Sequence, residues 1–76
     1  MALADNVSRN ILAAREAKKL TQATLAGKAK ISVSYVSMLE RGERVPPLDT
    51  LEVIAKALGV PPLALLQPAG KAVRRK

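Results

Sequence analysis

The segment from Thr21 to Gly42 constrains the fold of this chain more than any other part of the sequence. Thr21 and Ser32 are hydroxyl residues of the kind that cap helix N-termini, and each precedes a short apolar pattern with helical spacing. Gly42 stands where a helix can end in a left-handed residue. Because only a tight turn separates the two patterns, the sequence predicts two short helices packed back to back.

Apolar residues mark the buried side of both predicted helices. The first, from Gln22 to Ala29, has an apolar face formed by Leu25, Ala26 and Ala29. The second has Val36, Leu39 and Glu40 on one side and Ser34, Ser37, Met38 and Arg41 on the other. This second side lacks the Glu, Lys and Gln that fill an ordinary solvent-exposed helix face. Small uncharged side chains are instead what a helix needs to approach the major groove of DNA closely.

These residues, together with those that follow, resemble the lambda-repressor/Cro-like helix-turn-helix family, also called the XRE family. The matching residues are Leu20-Thr21-Gln22, Leu25-Ala26, Ile31-Ser32, Val36, Leu39-Glu40-Arg41-Gly42, Pro47, Thr50-Leu51 and Ile54-Ala55-Lys56-Ala57-Leu58-Gly59-Val60. The resemblance extends over roughly residues 7 to 66 and involves apolar, capping and glycine positions in four helices. It implies an all-α domain that binds double-stranded DNA.

Composition narrows the class of protein further. The chain has 76 residues, enough for one domain, and a formal net charge of +7, which favours a polyanion such as nucleic acid or an anionic membrane surface. It contains neither Cys nor His, so a zinc finger is excluded and the usual acid–base and nucleophilic groups are missing. We therefore expect no enzyme, no metal and no cofactor.

The chain offers no membrane segment. Its longest apolar run, around Leu58 to Leu66, is interrupted by Pro61 and Pro62 and is too short to span a bilayer. The N-terminus also lacks the basic-then-apolar order of a signal peptide. We therefore expect a cytoplasmic protein without a membrane partner.

The remaining helices complete a domain. Their predicted bounds are Asp5 or Asn6 to Lys18 for the first helix, Leu48 to Ala57 for the fourth, and Pro62 to Leu66 for a short fifth. We predict an all-α, five-helix lambda-repressor-like domain over residues 1–68, with the second and third helices as its helix-turn-helix, and a basic tail over residues 69–76.

Two residues depart from this pattern. Gly27 lies inside the second helix and should cost about 0.5–1 kcal/mol relative to Ala. Lys30 replaces a glycine of the family at a turn position that requires a positive φ, where a non-glycine residue costs on the order of 1 kcal/mol.

The resemblance implies base contacts at the start and on the outer face of the third helix, from Val33, Ser34, Ser37 and Met38. Serine hydroxyls can donate or accept at any base, whereas Val and Met can touch a thymine methyl. Because none of these residues is Arg, Asn or Gln, we expect moderate specificity with thymine-biased contacts. The simpler alternative is a plain helix surface.

The candidate phosphate contacts are Gln22, Ser32, Tyr35, Arg41 and Arg44. The N-termini of the second and third helices also point free amides at the DNA backbone, and Arg44 lies in the loop before Pro46. Tyr35 could instead be a half-buried packing residue, and Arg44 could be a plain solvated charge.

Two further sets of residues follow from the resemblance. Arg15 and Glu40 match an ion pair between the first and third helices of the family; the alternative is two independent surface charges. Leu63, Leu66 and Val73 are candidate dimer contacts, since the family often pairs through its last helix. The alternative is that both leucines only close the core.

Together these features lead us to expect a small prokaryotic or phage-type transcription regulator. It would bind a palindromic double-stranded DNA operator as a homodimer and block or recruit RNA polymerase. The alternative is a protein-interaction module of the same fold, such as an antitoxin or adaptor, which the sparse hydrogen-bonding groups of the third helix would suit.

Overall fold

The computed structural model describes the backbone of residues 3–68 and the side chains of residues 5–68. The predicted basic tail, with Val73 in it, lies outside the described residues. The α-helices are α1 (Leu3–Ala17), α2 (Gln22–Ala29), α3 (Val33–Glu40) and α4 (Leu48–Leu58). A 3-10 helix, Pro62–Leu65, follows them. The all-α helix-turn-helix architecture agrees with the prediction.

The prediction of five α-helices is wrong in one respect, because the described residues form four. The expected fifth helix is a 3-10 helix whose bonds run from the Ala64 amide to the Pro61 carbonyl and from the Leu66 amide to the Leu63 carbonyl. Two prolines at its start and one at Pro68 leave room for a single turn, and 3-10 geometry is typical of such short pieces.

Hydroxyl caps start α2 and α3 as the sequence predicts. The Thr21 hydroxyl oxygen accepts from the Thr24 amide and the Ser32 hydroxyl oxygen from the Tyr35 amide, both at 3.0 Å. The first helix begins earlier than predicted, at Leu3, so Asp5 lies in its first turn and stabilises the helix dipole by its charge.

All four α-helices end in the same hydrogen-bonded motif, in which a left-handed residue reverses the chain. The left-handed residues are Lys19, Lys30, Gly42 and Gly59, with φ of 58°, 60°, 78° and 72°. After each of them the next amide donates to a carbonyl five residues earlier, as in a Schellman motif. The left-handed conformation predicted for Lys30 is confirmed, whereas that of Lys19 was not foreseen.

The core is aliphatic and draws on every helix. Its largest fully buried side chains are Ile11, Leu25, Val36, Leu39, Ile54, Leu58 and Leu65. Burying an aliphatic side chain of this size contributes about 1.5–3 kcal/mol. Because Val36 is 0% and Leu39 1% exposed, the inner side of α3 is anchored against the other helices and its outer side is left free.

Candidate DNA-binding surface

The outer face of α3 carries the side chains predicted to contact bases. Val33 is 45% exposed and Ser34 is exposed, while Ser37 and Met38 are half-buried. Ser37 lies four residues after Val33, and Ser37 and Met38 lie three and four residues after Ser34, so the four side chains lie on one side of the helix. We call Val33, Ser34, Ser37 and Met38 the recognition face.

The N-termini of α2 and α3 supply amide donors beside this face. The first turn of any α-helix leaves several amides without a helical acceptor, and the helix dipole makes that end attractive to anions. Ser32 uses its hydroxyl oxygen as the cap of α3, which leaves its hydroxyl hydrogen to donate. Tyr35 is half-buried and packs against the core, and its hydroxyl has no hydrogen-bond partner among residues 5–68.

Arg15 and Glu40 form a buried ion pair between α1 and α3. Arg15 Nε lies 2.6 Å from Glu40 Oε2 and Nη2 lies 3.0 Å from Oε1, with side chains only 13% and 4% exposed. Arg15 Nη1 also donates to the Leu20 carbonyl at 2.7 Å. The hydrogen bond to Glu40 raises the pKa of Arg15, although burial opposes it. The two groups are therefore not independent surface charges.

Gln22 belongs to the same network. Its Nε2 donates to Glu40 Oε1 at 2.9 Å, so one amide N–H of this candidate phosphate contact points inward at a carboxylate. Glu40 therefore contacts both the start of α2 and the last turn of α1 from its place in the last turn of α3.

Arg41 forms a second pair with Glu43, on the outer side. Arg41 Nε lies 2.8 Å from Glu43 Oε2 and Nη2 lies 3.1 Å from Oε1, and the side chains are 55% and 54% exposed. Arg41 Nη1 donates to Ser37 Oγ. The hydrogen bond from Arg41 lowers the pKa of Glu43 and raises that of Arg41. A candidate phosphate contact and a candidate base contact are thus bonded to each other.

Glu43 was not among the candidate residues that the sequence indicated. The glycine between Arg41 and Glu43 could have indicated this contact. A left-handed residue at Gly42 turns the chain back toward α3, so the side chains on either side of the glycine can meet. Asn10 was also missed: its Nδ2 donates to the Leu65 carbonyl at 3.0 Å and the Gln67 carbonyl at 2.7 Å, which fixes the 3-10 helix to α1. No sequence pattern pointed to that contact across 55 residues.

The other candidate residues differ in exposure. Arg44 is exposed in the loop after α3 and has no ion-pair partner among residues 5–68. Leu63 is 61% exposed, whereas Leu66 is half-buried against the core. Within the described residues no group of three or more His, Cys, Asp or Glu side chains could hold a metal ion. No described helix has the length and hydropathy that crossing a bilayer requires.

Comparison with known proteins assigns this chain to a family. A helix-turn-helix family matches residues 11–65. The immunity repressor of Bacillus phage phi105 is 48% identical over 54 residues, which are 71% of this chain and 38% of that protein. The uncharacterized HTH-type transcriptional regulator y4dJ of Sinorhizobium fredii is 40% identical over 62 residues, or 82% of this chain and 80% of that protein.

A solved structure agrees with these relatives. The restriction-modification controller protein C.AhdI of Aeromonas hydrophila superposes with a TM-score of 0.78 at 34% identity, over 82% of this chain and 94% of that one. The chain spans well under two thirds of the phage repressor but most of the controller protein. With its capped α2, tight turn and anchored α3, the chain belongs to the helix-turn-helix family, as a DNA-binding protein of the Cro/C1-like XRE type.

Proposed function

We propose that this protein regulates transcription by binding a palindromic DNA operator as a homodimer, with α3 in the major groove. One observation carries the proposal. On the inner side of α3, Val36 and Leu39 are at most 1% exposed, while the recognition face presents small uncharged side chains to the exterior. A helix held this way can enter the groove without bringing a carboxylate of its outer face to the phosphates.

The surroundings of α3 suit the phosphate backbone. Arg44 is exposed and unpaired within the described residues, and the amides at the starts of α2 and α3 add uncharged donors. Gln22 keeps one amide N–H free for the same purpose, whereas the guanidinium of Arg41, another candidate, is held by Glu43 and Ser37. The names of the relatives, an immunity repressor and a restriction-modification controller, favour repression or control of a promoter.

The size of α3 favours a dimer. Its eight residues are about 12 Å long, which spans roughly four base pairs. Such a short site recurs often by chance, whereas two copies related by two-fold symmetry bind half-sites about 34 Å apart. We assign the dimer contact to Leu63, which is 61% exposed, together with Leu66. Val73, the third candidate, lies outside the described residues.

Selection of duplex DNA from a random pool tests the proposal, with molar mass measured by light scattering. We expect an inverted repeat with half-sites about one helical turn apart, and a mass of two chains. Ser34→Glu should abolish enrichment because it places a carboxylate in the groove. Val53→Glu, which adds the same charge on α4 where Val53 is 44% exposed, should not. Failure of the wild-type protein to enrich any sequence would contradict the proposal.

The same experiment separates the alternative, a protein-interaction module such as an antitoxin or adaptor. That function would give no enriched DNA with a folded protein. If an operator is found, transcription on a template carrying it shows whether RNA polymerase is blocked or recruited.

A further inference from the structure

We propose that Glu43 determines base discrimination on the recognition face by holding Arg41 against Ser37, so that Ser37 presents its hydroxyl hydrogen to the DNA. The inference rests on the proposed function, since it concerns how α3 distinguishes one base from another. Neither the family resemblance nor the base-contacting candidates include Glu43.

The backbone places Glu43 beside α3. Gly42 has a φ of 78°, and the Glu43 amide donates to the Met38 carbonyl at 2.9 Å. This reversal brings the residue after the glycine back over the last turn of the helix. The Glu43 carboxylate therefore lies next to the Arg41 side chain, one helical turn beyond Ser37.

The hydrogen bonds of Arg41 are then divided between two partners. Nε and Nη2 donate to the two carboxylate oxygens of Glu43, at 2.8 and 3.1 Å, and Nη1 donates to Ser37 Oγ. A guanidinium has five N–H donors in a rigid plane, so the bidentate contact with Glu43 fixes the plane and with it the direction of Nη1. Without Glu43, nothing else among the described residues would hold the guanidinium against Ser37.

The bond to Arg41 orients the Ser37 hydroxyl. A serine hydroxyl ordinarily rotates to donate or accept as its partner requires. At Ser37 the oxygen faces a cation, so its hydrogen points away and is available to donate. In the major groove guanine, adenine and thymine each offer an acceptor, whereas cytosine offers only an amino donor. Because Arg41 occupies one of the two lone pairs of Ser37 Oγ and leaves the hydrogen to donate, the base facing Ser37 should favour guanine, adenine or thymine over cytosine.

Ser34 supplies an internal comparison. It lies three residues before Ser37 on the same face, is exposed, and its hydroxyl has no partner among residues 5–68. That hydroxyl is free to rotate and can meet either a donor or an acceptor. The base facing Ser34 should tolerate all substitutions better than the base facing Ser37.

Glu43 also limits non-specific attraction to DNA. The negative charge of Glu43 offsets the positive charge of Arg41. Both side chains are more than half exposed, on the side where we place the phosphates. Removing the carboxylate would release Arg41 to bind a phosphate. Each added phosphate contact steepens the dependence of log K on log salt by about 0.9.

The experiment compares Glu43→Gln with Glu52→Gln, which removes the same charge from an exposed residue of α4 that has no ion-pair partner within the described residues. Wild type and both variants are taken through the same random-duplex selection, and binding is measured at several salt concentrations. Glu43→Gln should lose the bias against cytosine at one position per half-site and steepen the salt slope by about 0.9. Glu52→Gln should match wild type in both.

Arg41→Met provides a second test. It should lose discrimination at the same position as Glu43→Gln, but without a steeper salt slope, because the cation itself is gone. The inference is overturned if wild type selects an operator yet Glu43→Gln keeps every base preference, or if the two variants affect different positions. Failure of wild type to select any operator would instead remove the proposed function and this inference together.

Discussion

Two arginine–glutamate pairs flank α3, alike in geometry and opposite in burial. Arg15 and Glu40 meet at 2.6 and 3.0 Å on the inner side, where the side chains are 13% and 4% exposed. Arg41 and Glu43 meet at 2.8 and 3.1 Å on the outer side, where they are 55% and 54% exposed. Breaking the buried pair should therefore lower the stability of the fold much more than breaking the exposed pair, because water can solvate the charge left behind only at the exposed pair.

The largest expected effect comes from breaking the inner pair. Arg15→Met keeps an unbranched apolar stem but leaves the Glu40 carboxylate buried without its cation, which should cost about 3 kcal/mol in the free energy of unfolding. Arg41→Met should change the urea midpoint far less, since its partner is solvated. Equal losses in the two variants would show that burial does not distinguish the pairs.

A double variant sharpens this result. Arg15→Met with Glu40→Met leaves no uncompensated buried charge, so its urea midpoint should lie above that of Arg15→Met alone. If the two changes simply add, Arg15 and Glu40 are not energetically coupled and the network does not hold α3.

The turns on either side of α3 differ by one side chain, and this gives the next effect. Lys30 before the helix and Gly42 after it are both left-handed. Lys30→Gly should raise the free energy of unfolding by about 1 kcal/mol, and Gly42→Lys should lower it by a similar amount. A Cβ on Gly42 would meet only Ser8 Oγ, at 3.7 Å, so its cost is conformational. Calorimetry of the two variants measures both changes in stability. A Lys30→Gly variant less stable than wild type would contradict the predicted gain.

A smaller gain is expected inside α2. Gly27 is exposed and a Cβ there would meet nothing within 4 Å, so Gly27→Ala should add about 0.5–1 kcal/mol of stability. Unchanged DNA affinity in this variant would show that the helix-turn-helix keeps its geometry, and a lower melting temperature would mean that the glycine has a structural role.

The smallest effect is the pH response of the outer pair. The bond from Arg41 lowers the pKa of Glu43, so the pair stabilises the fold above the ordinary glutamate pKa and loses this contribution as pH falls through the lowered value. Carboxyl NMR should show the pKa of Glu43 below the ordinary glutamate value in the wild-type protein and returning upward in Arg41→Met. An unchanged titration in that variant would place the cause elsewhere.

Sequence patterns located the features that depend on neighbours a few residues apart. The bounds of α2, the caps Thr21 and Ser32, and the left-handed Lys30 all follow from bonds spanning three to five residues. The fifth helix was misjudged because apolar residues between prolines suit a 3-10 turn as well as an α-helix. Lys30 was located through the glycine of the family that it replaces, whereas Lys19 was missed because lysine itself gives no signal of a left-handed conformation.

The sequence by itself determined the helix-turn-helix, its family and the apolar side of each helix, because residue spacing and capping chemistry are written along the chain. Only the tertiary structure decided that Gln22 turns toward Glu40 and that Arg41 joins Glu43 to Ser37. Long polar side chains can reach several partners, and which one they meet depends on distances between helices and on the chain reversal at Gly42.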